Sequence, residues 1–160
     1  MTTAEKLVKR LTELGKTCAT AESCTGGGIG SAITDISGSS AVFWGGVICY
    51  DNSVKRDVLG VSPETLATVG AVSPETAAQM ARGAQKLLNV DYAVSVTGIA
   101  GPGGGSADKP VGLVWFGIAA PAGVRTENAI FPGNRHEVRA AAVEHALGLL
   151  LNAAEGKWTP

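Results

Sequence analysis

The sequence carries almost no net charge and has no apolar stretch long enough to cross a membrane. Its 160 residues include 13 Lys and Arg against 14 Asp and Glu, a formal net charge of −1. Proteins that bind the phosphate backbone of nucleic acids need an excess of positive charge, so the composition argues against nucleic acid as a partner. The longest apolar run, residues 111–120, falls far short of the roughly 20 residues of a membrane helix, so we expect no membrane association either.

Cysteine is also scarce. The three cysteines, Cys18, Cys24 and Cys49, form no Cys-x-x-Cys pair. An odd number without metal-ligand spacing indicates neither a disulfide framework nor a zinc site, and it suits a reducing compartment. The N-terminal residues are polar and lack the apolar segment of a secretion signal. We therefore expect a soluble cytoplasmic protein that uses no metal or other cofactor.

Helical and strand patterns alternate along the chain. Apolar residues at helical spacing precede Gly15, and Thr25 is predicted to cap a second helix that runs to about Asp35. Two Ser-Pro-Glu-Thr segments, beginning at Ser62 and Ser73, have the composition of helix starts. A long helix is predicted from residue 134 to about 152, and strands are predicted over residues 17–21, 43–50, 92–97, 111–120 and 124–131.

The connections between these strands set their directions. Helices separate the first three strands, which favours parallel pairing, whereas no helix separates the third strand from the fourth or the fourth from the fifth. We predict an α/β fold, a three-layer α/β/α sandwich on a mixed sheet of about five strands, with the fourth strand antiparallel to the rest. No linker divides the chain, so residues 1–160 are predicted to form a single domain.

Three chemically rich segments follow the first three predicted strands. They cover residues 22–28, 50–55 and 97–105, and the last of them is rich in glycine and proline. In open α/β sheets, ligands bind at the carboxyl ends of the parallel strands. We therefore expect the three segments to meet at one edge of the sheet and to form a site there.

The first segment offers two candidate nucleophiles, Ser23 and Cys24, at a turn from strand to helix. Backbone N–H groups at such a turn can bind a phosphate, or an oxyanion if a nucleophile attacks a carbonyl group nearby. The same pattern is also typical of a capped helix that packs closely on a sheet through glycine. The segment lacks the GxxxxGKS/T and GxSxG motifs.

A serine nucleophile needs a base, and histidine is a poor candidate here. The chain has only His136 and His145; the first lies in the first turn of the last helix, and the second lies on its apolar stripe and is expected to be structural. Lys55, which we expect on an exposed loop after the second strand, is the remaining candidate. A partly desolvated lysine near a helix N-terminus can act as a base, whereas a solvated surface lysine would be inert.

Six segments of the chain, in order, resemble the C-terminal domain of CinA. They are AESCTGG (21–27), YDNSVK (50–55), GAVS (70–73), TGIAGPGG (97–104), KPVG (109–112) and FPGNR (131–135). The chain resembles larger CinA proteins only in their C-terminal part. Stand-alone versions of the domain are nicotinamide-nucleotide amidohydrolases, also called NMN deamidases.

The resemblance implies hydrolysis of nicotinamide mononucleotide (NMN) to nicotinate mononucleotide and ammonia by a metal-independent serine–lysine mechanism. Ser23 would then be the nucleophile, Lys55 its base, and Thr97 and Tyr50 positioning or stabilising groups. The implied substrate-binding residues are Thr25, Gly26, Gly27, Asn52, Gly98, Gly101 and Arg135. NMN would be the small-molecule partner, and the sequence is compatible with a homo-oligomer.

Two other functions stay open at this point. A non-catalytic module that binds nucleotide or phosphate would explain the glycine-rich loops and Arg135, but it gives no reason for a serine and a lysine in separate edge segments. An amidase that depends on Cys24 would use the better intrinsic nucleophile, but neither histidine is placed to hold a thiolate. The sequence also leaves open whether Arg135 or the loop 101–105 holds the phosphate.

Overall fold

A computed structural model describes all 160 residues and contains one five-stranded sheet with helices on both faces. The helices are α1 (Thr3–Leu14), α2 (Gly28–Thr34), α3 (Asn52–Asp57), α4 (Pro63–Thr68), α5 (Pro74–Leu88) and α6 (Arg135–Ala154). The strands are β1 (Cys18–Glu22), β2 (Phe43–Ile48), β3 (Tyr92–Gly98), β4 (Leu113–Ala120) and β5 (Gly123–Ile130), and a 3₁₀ turn covers Ser39–Ala41. No helix is both long and apolar enough to span a bilayer.

The strand order is β2-β1-β3-β4-β5. Strand β1 pairs in parallel with β2 and β3, and β4 is antiparallel to both β3 and β5. Helices α1, α2 and α6 cover one face of the sheet, and α5 covers the other. The predicted α/β/α sandwich, with its fourth strand running against the rest, is confirmed.

Two apolar cores fill the space between the layers. Successive residues of a strand point to opposite faces, so Cys18 of β1 joins the core beneath α1, α2 and α6, while Ala19 and Ala21 join the core beneath α5. Every residue of β1 is buried, as expected for the central parallel strand. The rigid centre of the sheet therefore holds the carboxyl end of β1, where the candidate nucleophiles follow.

Two local predictions at this edge of the sheet are wrong. Helix α2 begins at Gly28 rather than after Thr25, because Gly26 and Gly27 adopt left-handed backbone angles (φ of 57° and 100°) and extend the turn. The segment after β2 is not an open loop, because Asp51 caps α3 by accepting a 2.9 Å hydrogen bond from the Ser53 amide. Both differences concern the segments that carry the candidate site.

Two helical glycines give a matched test of the packing. A Cβ atom added at Gly83 of α5 would collide with the backbone carbonyl of Leu59, whereas one added at Gly148 of α6 would meet no atom within 4 Å. We expect Gly83→Ala to lower the free energy of unfolding by about 1–3 kcal/mol. We expect Gly148→Ala to raise it by about 0.5–1 kcal/mol. Urea denaturation of both variants measures these changes, and equal effects would contradict the close approach of α5 to Leu59.

Candidate active site

Ser23 lies at the turn between β1 and α2. Its amide donates to the carbonyl of Val96 on β3 (3.0 Å), so the sheet ladder extends to the serine itself. The chain then turns over residues 23–26, where the Gly26 amide donates a 3.1 Å hydrogen bond to the Ser23 carbonyl. We call residues 23–27 the nucleophile turn. The turn is tight because Gly26 and Gly27 accept backbone angles that other residues rarely adopt.

The side chain of Lys55 is buried, contrary to the expectation that it lies on an exposed loop. Lys55 is in α3 and is only 1% exposed. Its Nζ lies 3.0 Å from Ser23 Oγ and contacts the carbonyl oxygens of Cys49 (2.7 Å) and Tyr50 (3.1 Å). Helix α3 therefore turns the lysine back beneath the end of β2, towards the serine.

Burial lowers the pKa of Lys55 from its ordinary value near 10.5, because a buried ammonium loses its hydration. No carboxylate forms a salt bridge with Nζ, so nothing nearby offsets that loss fully. A neutral amine can donate its two N–H groups to the two carbonyls and turn its lone pair towards Ser23 Oγ. The arrangement suits a lysine that accepts the serine proton.

Burial shifts the pKa of the Cys24 thiol in the opposite direction from that of Lys55. Cys24 is 6% exposed, and burial raises its pKa to about 11. A thiol with this pKa is protonated near neutral pH and is therefore a weak nucleophile. Part of Cys24 lines the cleft at Ser23, and its side chain belongs to the apolar core.

Glu22, which was not among the predicted site residues, holds the nucleophile turn through the Thr25 hydroxyl. Its carboxylate is 2% exposed and accepts hydrogen bonds from the hydroxyls of Thr20 (3.2 Å) and Thr25 (2.7 Å) and the amides of Ile29 (2.8 Å) and Gly30 (3.0 Å). A carboxylate there satisfies free amides at the start of α2 and complements the helix dipole. The sequence feature that could have identified Glu22 is its place in the AESCTGG segment, directly before Ser23.

Arg135, the first residue of α6, joins two other segments of the site. Its guanidinium donates to the Gly101 carbonyl at 2.9 Å and to the Tyr50 hydroxyl at 3.1 Å. Asn134 caps the helix in a reciprocal box with Glu137, which fixes the place where α6 begins. The arginine is exposed to solvent and thus remains available to a ligand at the mouth of the cleft.

The glycine-rich loop after β3 presents backbone donors to the same cleft. The amides of Ala100, Gly101, Gly103 and Gly104 have no acceptor within the protein. The cleft has a volume of about 290 Å³, and Lys55 and Arg135 are its only charged lining residues. Unpaired amides beside two basic side chains favour an anionic ligand.

Most of the predicted site residues line this one cleft: Ser23, Tyr50, Asn52, Lys55, Gly98, Gly101 and Arg135. The remaining predicted residues lie outside its lining. The Thr25 hydroxyl is bonded to Glu22, and the Thr97 hydroxyl donates to the Ala71 carbonyl at 2.9 Å. The Gly26 amide is bonded within the turn, and Gly27 is the N-cap of α2.

Neither histidine belongs to the site. His145 contacts the Glu127 carboxylate at 2.9 Å, and its ring lies 4.5 Å from that of Phe116, in the structural role that the sequence predicted. His136 is exposed and does not line the cleft. No group of three or more His, Cys, Asp or Glu side chains lies close enough to hold a metal ion.

The family model described as the CinA C-terminal domain matches residues 1–154. A CinA-like protein from a Cyanothece strain is 58% identical over 121 residues, which cover 76% of this chain and 29% of that protein. A CinA-like protein from Leptospira interrogans is 52% identical over 149 residues, which cover 92% of this chain and 36% of that protein. The chain thus spans about a third of the length of these curated relatives.

Solved structures match along the whole fold. The crystal structure of the competence/damage inducible protein CihA from Agrobacterium tumefaciens is 49% identical, with a TM-score of 0.90 and 97% of each chain covered. That of a CinA superfamily protein from Klebsiella pneumoniae is 33% identical, with a TM-score of 0.92, covering 98% of this chain and 97% of that chain.

The burial of Lys55 has a consequence for stability. Because its pKa is lowered in the folded state, the unfolded chain binds more protons between the folded pKa and about 10.5, and stability rises with pH in that window. Lys55→Met removes this penalty, and we expect it to raise the free energy of unfolding near pH 7. The advantage should shrink as the pH approaches 10.5.

Chemical denaturation between pH 7 and pH 10 measures this change. Lys86→Met, at an exposed position of α5, is the matched control for loss of a lysine. A Lys55→Met protein that is less stable than the native protein at pH 7 would show that the buried amine stabilises the fold.

Proposed function

We propose that this chain, which belongs to the CinA C-terminal domain family, is an amidohydrolase that converts NMN and water to nicotinate mononucleotide and ammonia. One observation carries the proposal: Lys55 Nζ lies 3.0 Å from Ser23 Oγ in a buried position without a carboxylate partner. A buried lysine is costly to a fold, and a titratable group in a cleft with a pKa shifted by burial is a typical mark of a catalytic site. Beside a serine, it supports nucleophilic catalysis.

In the first step, the neutral amine of Lys55 accepts the hydroxyl proton of Ser23 as Oγ attacks the carboxamide carbon. The pyridinium ring of NMN withdraws electrons from that carbon and makes it a better electrophile than an ordinary amide. The amide of Cys24, a residue that lines the cleft, has no backbone acceptor in the protein and is a donor for the developing oxyanion. This donor directly follows the nucleophile in the chain.

In the second step, the Lys55 ammonium gives its proton to the departing nitrogen, and the C–N bond breaks to release ammonia. An ester of Ser23 remains. Water then attacks the ester carbon while Lys55 accepts a proton from it, and the same proton returns to Ser23 Oγ as nicotinate mononucleotide leaves. One lysine thus serves each proton transfer in turn, with no third titrating group.

The anionic phosphate of NMN accounts for the other features of the cleft. A volume of about 290 Å³ is at the lower end of ligand sites, so we expect the ring and carboxamide to fill it while the ribose phosphate extends to its mouth. Arg135 and the glycine-rich loop, whose amides are unpaired, line the same cleft. A planar guanidinium and converging N–H groups are the donors that phosphate prefers.

Substitution of the two neighbouring candidate nucleophiles separates the open functions. We expect Ser23→Ala to release no ammonia from NMN yet to bind NMN in calorimetry, since the phosphate donors stay in place. Cys24→Ala should keep most activity and lose about 1–2 kcal/mol of stability, because a small buried side chain is removed. Ammonia release by Ser23→Ala but not by Cys24→Ala would assign the nucleophile to Cys24, and binding without hydrolysis by the native protein would indicate a binding module.

The lowered pKa of Lys55 also predicts the pH dependence of the rate. Because the neutral amine is the active form, kcat/KM should rise with pH and level off below the ordinary lysine value of 10.5. Lys55→Arg should be inactive at every pH tested, since a guanidinium does not release its proton. A native rate that falls between pH 6 and pH 9 would overturn the role of Lys55 as base.

A further inference from the structure

We propose that Arg139 is a positioning residue that orients the nucleophile turn, so that the Cys24 amide faces the reacting carbonyl oxygen. This inference rests on the proposed function and adds a residue to it that lies outside the cleft. Arg139 was not among the residues that the sequence indicated. It lies four residues after Arg135, on the same side of α6.

The guanidinium of Arg139 is committed to the turn. Its Nε donates to the carbonyl of Cys24 at 3.0 Å, and its Nη2 donates to the carbonyl of Thr25 at 3.2 Å. Arg139 is half-buried and forms no salt bridge with a carboxylate. A Cβ atom added at Gly26 would lie 3.4 Å from Nη2, so the arginine lies directly against the turn.

These contacts decide which way the backbone amides of the turn point. In a trans peptide the carbonyl and the following N–H point in opposite directions. The Ser23 carbonyl is bonded to the Gly26 amide, and Arg139 donates to the carbonyls of Cys24 and Thr25, the second of which also accepts from the Gly28 amide at 3.0 Å. The amides of Cys24 and Thr25 consequently point away from these partners and have no acceptor in the protein.

Unpaired amides in an ordered turn are rare unless a ligand or water receives them. Of the two, the Cys24 amide belongs to a residue that lines the cleft. An oxyanion formed on attack by Ser23 would be the acceptor that completes its hydrogen bonding. Arg139 reaches this donor through one intervening peptide: it holds the Thr25 carbonyl, the Gly26 amide of that peptide is bonded to the Ser23 carbonyl, and the Cys24 amide lies opposite that carbonyl.

The positive charge of Arg139 acts in the same direction. Burial raises the pKa of Cys24, and the charge of Arg139 opposes that rise, so the field of the guanidinium reaches the turn. A field that favours a thiolate at Cys24 also favours a negative oxygen beside it. Arg135 contacts the mouth of the cleft, whereas Arg139 contacts the turn, so the two arginines should affect different kinetic constants.

The test compares Arg139→Gln and Arg139→Lys with Arg82→Gln, a matched control at an exposed position of α5. Deleting an oxyanion donor costs about 100–1,000-fold in kcat, and displacing one costs less. We expect Arg139→Gln to lower kcat for NMN by about tenfold or more with KM within about twofold, and Arg139→Lys, which keeps the charge and one donor, to recover part of the loss. Arg82→Gln should match the native protein.

A second measurement does not depend on the substrate. A small alkyl fluorophosphonate modifies activated serines, and intact-mass spectrometry follows its addition to Ser23 over time. We expect Arg139→Gln to slow this labelling at least about tenfold at an unchanged melting temperature. If Arg139→Gln does not fold, Arg139→Lys with a kcat at least about threefold below native supports the proposal, and one with native kcat overturns it.

The outcomes separate this inference from the proposed function. A native protein that is labelled at Ser23 but does not hydrolyse NMN would refute the substrate, while slower labelling of Arg139→Gln would still support positioning. Native hydrolysis together with an Arg139→Gln protein of native kcat and native labelling would refute positioning alone. A loss that appears only in KM would also refute it. Neither hydrolysis nor labelling in the native protein would refute both.

Discussion

The contact on which the rest of the site depends is the one between the buried amine of Lys55 and the hydroxyl of Ser23. A lysine that is 1% exposed and has no carboxylate partner works against stability, because its charge has lost water and gained no opposite charge. The fold tolerates it through two backbone carbonyls at the end of β2. From its place in the capped helix α3, the lysine side chain points towards the serine.

Two polar side chains hold the nucleophile turn and the start of the helix that follows it. Glu22 accepts from amides at the start of α2, and Arg139 donates to carbonyls of the turn. The two cores of the sandwich are apolar, so neither side chain is part of them. Burying such polar side chains costs free energy. That cost has a physical reason if the direction of a few N–H groups matters, as it does in catalysis on a carbonyl group.

The sequence predicted the layers and the strand directions because hydrophobic periodicity and the order of connections determine them. The sequence also predicted that Ser23 and Lys55 lie at the same edge of the sheet, because both follow the carboxyl ends of parallel strands. It did not predict that Lys55 is buried, because helix α3 has only six residues and its cap, Asp51, also suits a loop. It missed Arg139, since contacts between a side chain and distant carbonyls leave no local pattern of residue types.

The residues that these contacts bring together lie far apart along the chain. Ser23 and Lys55 lie within the first 55 residues of the sequence, whereas the strand that extends the ladder to Ser23 ends at Gly98, and Arg139 lies later still. During synthesis, the serine is therefore made long before the groups that orient its turn. On the proposed function, a partly folded chain would carry an ordinary, unreactive hydroxyl. Ser23 would become reactive only when α6 docks on the finished sheet, which would protect other cellular amides and esters from a prematurely active nucleophile.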